Sequence, residues 1–136
     1  MKLISTVTVV AGLFMFTLLS GFKPFYDGKP WAVPDNFKNM KSAVASNAES
    51  ISAGKALWAL HCSSCHGKTG LGDGSKAAQL KTQPPDFTTS EVQGQTDGSL
   101  FYKTSEGRDD MPSFKKKIAD QDDIWNLVVY IRTLKK

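Results

Sequence analysis

The most regular alternation of apolar and polar positions lies at the end of the chain. Ile124, Leu127, Val128, Ile131 and Leu134 recur at three- and four-residue intervals, which places them on one face of an α-helix. Asp120 precedes the stripe as a cap for exposed amide groups, and Asp123 is acidic at the third position. Lys135 and Lys136 fall where the helix dipole is negative. A second helix is predicted to start at Ser50 or Ser52, either of which can cap it. Ala53, Leu57 and Leu60 follow at helical spacing, and the element runs directly into Cys62. A shorter helix is expected over Gly98 to Ser105, with Asp97 as cap and Gly107 just beyond its end. GKTGLGDGS, starting at Gly67, and QPPDF, residues 83–87, are turn chemistry. No stretch alternates as a strand would, so the pattern predicts an all-α fold with long loops.

The first residues break from this pattern. Lys2 is followed by an uncharged run from Leu3 to Leu19, diluted only by Ser5, Thr6, Thr8, Gly12 and Thr17. A basic start and a short apolar run read as an export segment, so residues 1–21 are a signal peptide or an N-terminal membrane anchor. Ser20 and Gly21 suit cleavage, whereas Leu18 and Leu19 make a poor small-x-small site, and the run is short for a comfortable span. Both readings place the remainder outside the cytoplasm, periplasmic or on the outer face of the membrane. No cysteine follows the run, which excludes a bacterial lipid anchor at that place. Residues 22–49 hold Pro24, Pro30 and Pro34 and no sustained period, and read as an extended arm or linker that Trp31 and Phe37 can lay against the domain. The domain itself is read as 50–136. A domain this small buries a low fraction of its surface, and a large apolar cofactor would supply the missing interior. The formal net charge of +4 suits an acidic partner or a solvated surface. It lacks the dense basic stripe of a nucleic-acid binder.

The chemistry is concentrated in HCSSCHG, residues 61–67, which holds both cysteines and both histidines of the chain. A structural zinc site takes four ligands from two separated chain segments. Here His61, Cys62, Cys65 and His66 are all local, and no second pair exists. A thiol–disulfide exchange site belongs in a strand-to-helix turn of an α/β fold, and this motif follows a helix. A plain Cys62–Cys65 disulfide leaves His66 and the glycine-rich loop without a role. C-x-x-C-H is also the attachment signature of c-type haem. Two thiols add across the vinyl groups on one porphyrin edge, Ser63 and Ser64 give the span, and the next histidine, His66, is carried beneath the iron as proximal ligand. His61 precedes Cys62 on that same side, cannot cross the ring, and is read as a surface residue.

With these residues in place, the chain resembles the monohaem class I cytochrome c family over roughly residues 50–136. In that family a glycine eight residues before the first cysteine and an aromatic four before it pack on the terminal helix. Gly54 and Trp58 hold those positions, and Leu127 with Tyr130 matches the terminal helix's own pair. Gly54 would let the two helix backbones cross closely. The resemblance implies a small cytochrome c-like fold, three or more helices around one covalently attached haem, with the N- and C-terminal helices crossing. It implies a sixth iron ligand on the loop before the last helix, often next to proline. Met111, followed by Pro112, fits that place, and Met40 in the arm is the alternative. It also implies a proline carbonyl, Pro84 or Pro85 here, accepting from the proximal histidine, although the spacing from His66 is longer than in common members.

The function implied is electron transfer by a single haem c cycling between ferrous and ferric iron, within an exported respiratory-type chain, rather than enzymatic catalysis. The alternatives are a haem-bearing subunit of a larger oxidoreductase and a haem sensor for small gases. Partners would be redox proteins or a membrane respiratory complex, with no nucleic acid and no small-molecule substrate. Lys68, Lys81, Lys103 and Lys115 to Lys117 could steer an acidic partner or simply solvate the surface.

Overall fold

The structure, a computed structural model, describes residues 30–136, and residues 32–136 of it form one compact unit. The export segment read at residues 1–21 lies outside the described residues. Six α-helices occur among the described residues: α1 (Asp35–Lys38), α2 (Ala48–His61), α3 (Ser63–His66), α4 (Ser90–Gln93), α5 (Asp97–Glu106) and α6 (Gln121–Thr133). A 3-10 turn spans Ala77–Gln79. There is no strand among them, only an isolated antiparallel bridge between Arg108 and Met111.

The terminal helix forms as its stripe dictates. Asp120 accepts from the Asp122 amide at 2.9 Å, and Ile124, Leu127, Val128 and Ile131 are all buried. Helix α2 begins earlier than the serines suggested. Asn47 is the cap, accepting from the Ser50 amide at 2.9 Å, while the Ser50 hydroxyl accepts from the Asn47 amide at 3.0 Å. Ser50 is therefore the third residue of a reciprocal capping box, the other half of the motif that marks a helix start. The α5 cap likewise moves one residue, to Thr96, whose hydroxyl accepts from Ser99.

Helices α2 and α6 cross and make the main interhelical contact. The buried residues of α2 are Ser50, Gly54 and Trp58, not the Ala53–Leu57–Leu60 series, of which Leu60 is 75% exposed. Close approach explains the choice of face. A Cβ on Gly54 would run into the Asn126 carbonyl and come within 2.8 Å of the Tyr130 Cβ. The helix backbones therefore touch where the side chain is missing. Trp58 and Tyr130 fill the flank with ring centroids 5.8 Å apart. Phe101 of α5 stacks on Trp125 of α6 at 4.3 Å, which closes the core from the other side.

Residues before α2 are part of the same unit. The ring of Phe37, on α1, lies 4.8 Å from Tyr102 on α5, and the Phe37 carbonyl sits against Gly98. Arg132 at the end of α6 locks the segment joining α4 to α5. Its guanidinium donates to the Gln93 carbonyl at 2.8 Å, to the Gln95 carbonyl at 2.5 Å and to the Asp97 carboxylate at 2.8 Å. Gln93 in turn donates to the Phe87 carbonyl at 2.7 Å and the Ile131 carbonyl at 2.9 Å. These bonds fix the loop that carries Phe87, which faces the functional site.

Candidate functional site

The cysteine motif is a helical turn set against the end of α2. The Cys65 and His66 amides donate to the Cys62 carbonyl at 3.1 and 2.9 Å, and the Cys62 amide donates to Trp58 at 2.9 Å. Residues three and four apart on such a turn share a face, so Cys62, Cys65 and His66 point to one side. Both cysteines are free and half-buried. Burial, and next the proximity of Cys65, push the Cys62 thiol up to about 12, so it is neutral at physiological pH.

The glycine-rich segment is the clamp on this turn. The amides of Gly72, Gly74 and Lys76 donate to the carbonyls of His66, Cys65 and Ser64 at 2.9, 3.2 and 2.8 Å. Every second residue of the loop thus engages one carbonyl, working backwards along the motif. The turn's orphan acceptors are satisfied, and its orientation is set by backbone alone. The Gly67 carbonyl accepts from the Trp58 indole at 3.0 Å, which ties the far end of the motif back to α2.

His66 sits in an aromatic box. Its ring lies 5.0 Å from Phe87, edge to face, and 5.8 Å from Trp58. Burial pushes its pKa down to about 4, which keeps the imidazole neutral with a lone pair to offer. Its Nδ1 is buried and has no hydrogen-bond partner. The carbonyl expected from Pro84 or Pro85 therefore does not engage that nitrogen; the Pro84 carbonyl packs against Gly72 instead. The loop between His66 and the two prolines is longer than in common members, and it leaves the Pro84 carbonyl against Gly72, whose own amide donates to the His66 carbonyl.

Met111 sits on a second, independently built turn. The Arg108 amide donates to the Met111 carbonyl at 2.8 Å and the Met111 amide to the Arg108 carbonyl at 2.9 Å, with Asp109 at φ 53° between them. Gly107 enters the turn at φ 68°, where a Cβ would collide with Pro112. Ser113 and Phe114 anchor its exit, donating to the Ser105 carbonyl at 2.7 and 3.1 Å. Met111 is half-buried against the core cluster. The Phe114 ring lies 5.9 Å from His61, so this loop and the cysteine motif meet at one end of the molecule. That contact also gives His61 a packing role that its position in the sequence did not disclose. Met40 packs beside Gly98 on the first turn of α5 and lines a surface groove with Lys38 and Arg132.

The lysines divide. Lys115 pairs with Glu106 at 2.7 Å, and Lys117 lies over the Phe114 ring at 5.5 Å. Lys103 is drawn inward, donating to Gln95 at 2.6 Å, and burial together with the Arg108 guanidinium lowers its pKa. Lys68, Lys81 and Lys116 are exposed.

Among the described residues no three His, Cys, Asp or Glu side chains gather to hold a bare metal ion. The donor set fits a haem instead. Two free sulfurs and a neutral imidazole share a face, and the Met111 thioether is carried on a loop that meets the cysteine motif through Phe114 and His61.

An all-helical unit built around such a turn defines a c-type cytochrome domain. The family described as "Cytochrome C oxidase, cbb3-type, subunit III" matches residues 49–131, and the chain belongs to it. Solved structures agree. A chain of the Kuenenia stuttgartiensis reducing HAO-like protein complex Kustc0457/Kustc0458 aligns at 27% identity and a TM-score of 0.64, over 82% of this chain and 53% of that one. This protein thus spans about half the length of that complex's chain. The c-type cytochrome KustC0563 aligns at 28% identity and a TM-score of 0.54, over 61% of this chain and 98% of its own. Cytochrome CL from the marine methylotroph Methylophaga aminisulfidivorans MPT shares the fold, at 22% identity and a TM-score of 0.54, over 81% of this chain and 72% of its own. No curated protein sequence matches the chain.

Proposed function

We infer that the protein is an exported electron carrier whose single haem is tethered by Cys62 and Cys65 and ligated by His66 and Met111. Bound there, a c-type haem supplies an iron that changes by one electron between ferrous and ferric. The observation that carries this reading is the face shared by Cys62, Cys65 and His66, with the imidazole held neutral in an aromatic box.

The chain's residues divide the work. Cys62 and Cys65 hold the group covalently, so it stays bound in either redox state. Trp58 and Phe87 exclude water from His66 and fix its plane. Met111, a soft and neutral ligand, favours the reduced state and raises the potential. Were His66 and Met111 both to bind the iron, it would keep no place for substrate or oxygen, which would separate a carrier from a haem enzyme or a gas sensor. The uncharged run within residues 1–21 supports export to the periplasm or the outer face of the membrane.

The test is spectroscopic, on protein matured with its haem. A closed site gives a weak sulfur-to-iron band near the red end of the oxidised spectrum, and its reduced form resists carbon monoxide without denaturant. Rapid, tight carbon monoxide binding would sink the reading. A second reading, a haem subunit of a larger oxidoreductase, is favoured by the similarity to a chain of a reducing HAO-like complex and by the family's own description. Isolation of native protein with a stoichiometric redox partner that survives gel filtration would select it over a free shuttle.

A further inference from the structure

Asp110 has no part in the reading so far, yet it makes the contact that ties the Met111 turn to the other side of the site. Its Oδ2 accepts from the Lys81 amide at 2.7 Å and from the Thr82 amide at 3.1 Å. Nearly thirty residues separate donor and acceptor in sequence, so the bond is tertiary and not a local turn. Lys81 and Thr82 directly follow the 3-10 turn Ala77–Gln79 and Leu80. The Lys76 amide just before that turn donates to the Ser64 carbonyl inside the cysteine motif. The chain of contacts is short: Ser64, Lys76, the 3-10 turn, Lys81 and Thr82, Asp110, then Met111.

The turn that carries Met111 needs such an outside tie. Asp109 adopts φ 53°, a left-handed conformation unfavourable for a residue with a side chain, and the turn itself is closed by only one pair of backbone bonds. A thioether is a weak ligand, so its retention depends on how well the loop is held in place before the bond forms. A carboxylate engaging two adjacent amides supplies that hold, since charge-assisted bonds of this kind are the stronger ones. On the other flank Phe114, with its ring near His61, fixes the exit of the same loop.

We propose that Asp110 is a positioning residue for the sixth ligand: a latch that holds the Met111 loop shut over the haem by binding the amides of Lys81 and Thr82. The proposal rests on Met111 being that ligand. When the latch is open the loop swings away more often, and an external ligand for ferric iron competes for the vacated position.

The experiment uses the full-length protein matured with haem and compares wild type with Asp110→Ala, Asp110→Asn and Met111→Ala. The ferric forms are titrated with imidazole while the weak sulfur-to-iron band is followed, and amide hydrogen exchange is measured at Lys81 and Thr82. Asp110→Ala should bind imidazole at least tenfold more tightly than wild type, with faster exchange at both amides and the covalent haem intact by mass. Asp110→Asn keeps an acceptor oxygen but loses the charge and should bind imidazole with an affinity between wild type and Asp110→Ala, whereas a general loss of stability would not grade with the acceptor. If Met111→Ala loses the band but Asp110→Ala matches wild type in imidazole affinity, the latch is wrong and the ligand assignment stands. If Met111→Ala keeps the band, the ligand assignment fails and the latch falls with it. Should Asp110→Ala not mature, the Asp110→Asn titration and the exchange rates in wild type decide. Fast, unprotected exchange at Lys81 and Thr82 in the wild-type holoprotein overturns the proposal.

Discussion

In the proposed site, Met111 is the residue on which the redox properties would turn. It offers a neutral sulfur, and the loop carrying it is built from backbone bonds to Arg108 and Ser105 that do not involve its side chain. Met111→Ala should therefore leave the fold near native while abolishing the weak sulfur-to-iron band and lowering the reduction potential, both read on the oxidised and poised protein. Trp58 tests the surroundings of His66. Its indole donates to the buried Gly67 carbonyl, and its ring borders His66. Trp58→Phe keeps an aromatic body but leaves that carbonyl only the long 3.4 Å bond from the Gly70 amide, at a cost of about 1 kcal/mol. The denaturant midpoint should fall accordingly with the covalent haem retained. His66 shows how far burial alone holds an imidazole neutral. An imidazole held neutral down to about pH 4 presents its lone pair throughout the physiological range.

The elements that matter most are α2 and α6, and their crossing depends on a missing side chain. Gly54 meets the Asn126 carbonyl at a distance no Cβ tolerates. Gly54→Val should force the helices apart, with overpacking costing about 1–3 kcal/mol. For a unit of this size each kcal/mol lowers Tm by roughly 4–8 °C, which calorimetry of the holoprotein would register. Trp58 rides on the same helix, so the shift should also broaden the environment of His66 and appear in the haem spectrum. The loop after the motif behaves as an element in its own right. Its amides at Gly72, Gly74 and Lys76 grip the cysteine turn as a strand would grip its neighbour, although no strand is formed.

Taken whole, the molecule is small and its core is supplied by two helices, one cross-packed helix and a set of aromatic side chains. A domain of that size is marginal without a large apolar group in its interior. Replacing both cysteines, Cys62→Ala with Cys65→Ala, should leave a chain with no covalent haem by mass spectrometry and most of its helical circular dichroism lost. A stable apo-domain with native helicity would contradict this. The family to which the chain belongs is described as a subunit of an oxidase, and one solved relative is a chain of a larger complex.

What the amino-acid sequence determined by itself was whatever is encoded locally. The spacing of Cys62, Cys65 and His66, the stripe and cap of α6 and the turn chemistry of residues 67–75 each follow from neighbours a few positions apart. The glycine at position 54 was legible as a crossing point through the resemblance to class I cytochromes c, and a Cβ there would meet the Asn126 carbonyl. Tertiary structure alone decided the rest. The apolar spacing of α2 did not settle its buried face: Leu60 is exposed and Leu57 only partly buried, while Gly54 and Trp58 make the crossing, since helix contact is chosen by how closely backbones approach. The short helices α1, α3 and α4 are too brief to show a period, and Phe114 on His61 and Asp110 on Lys81 join residues far apart in the chain. Contacts of that range leave no local pattern, because each partner is an ordinary loop residue until folding brings the two together.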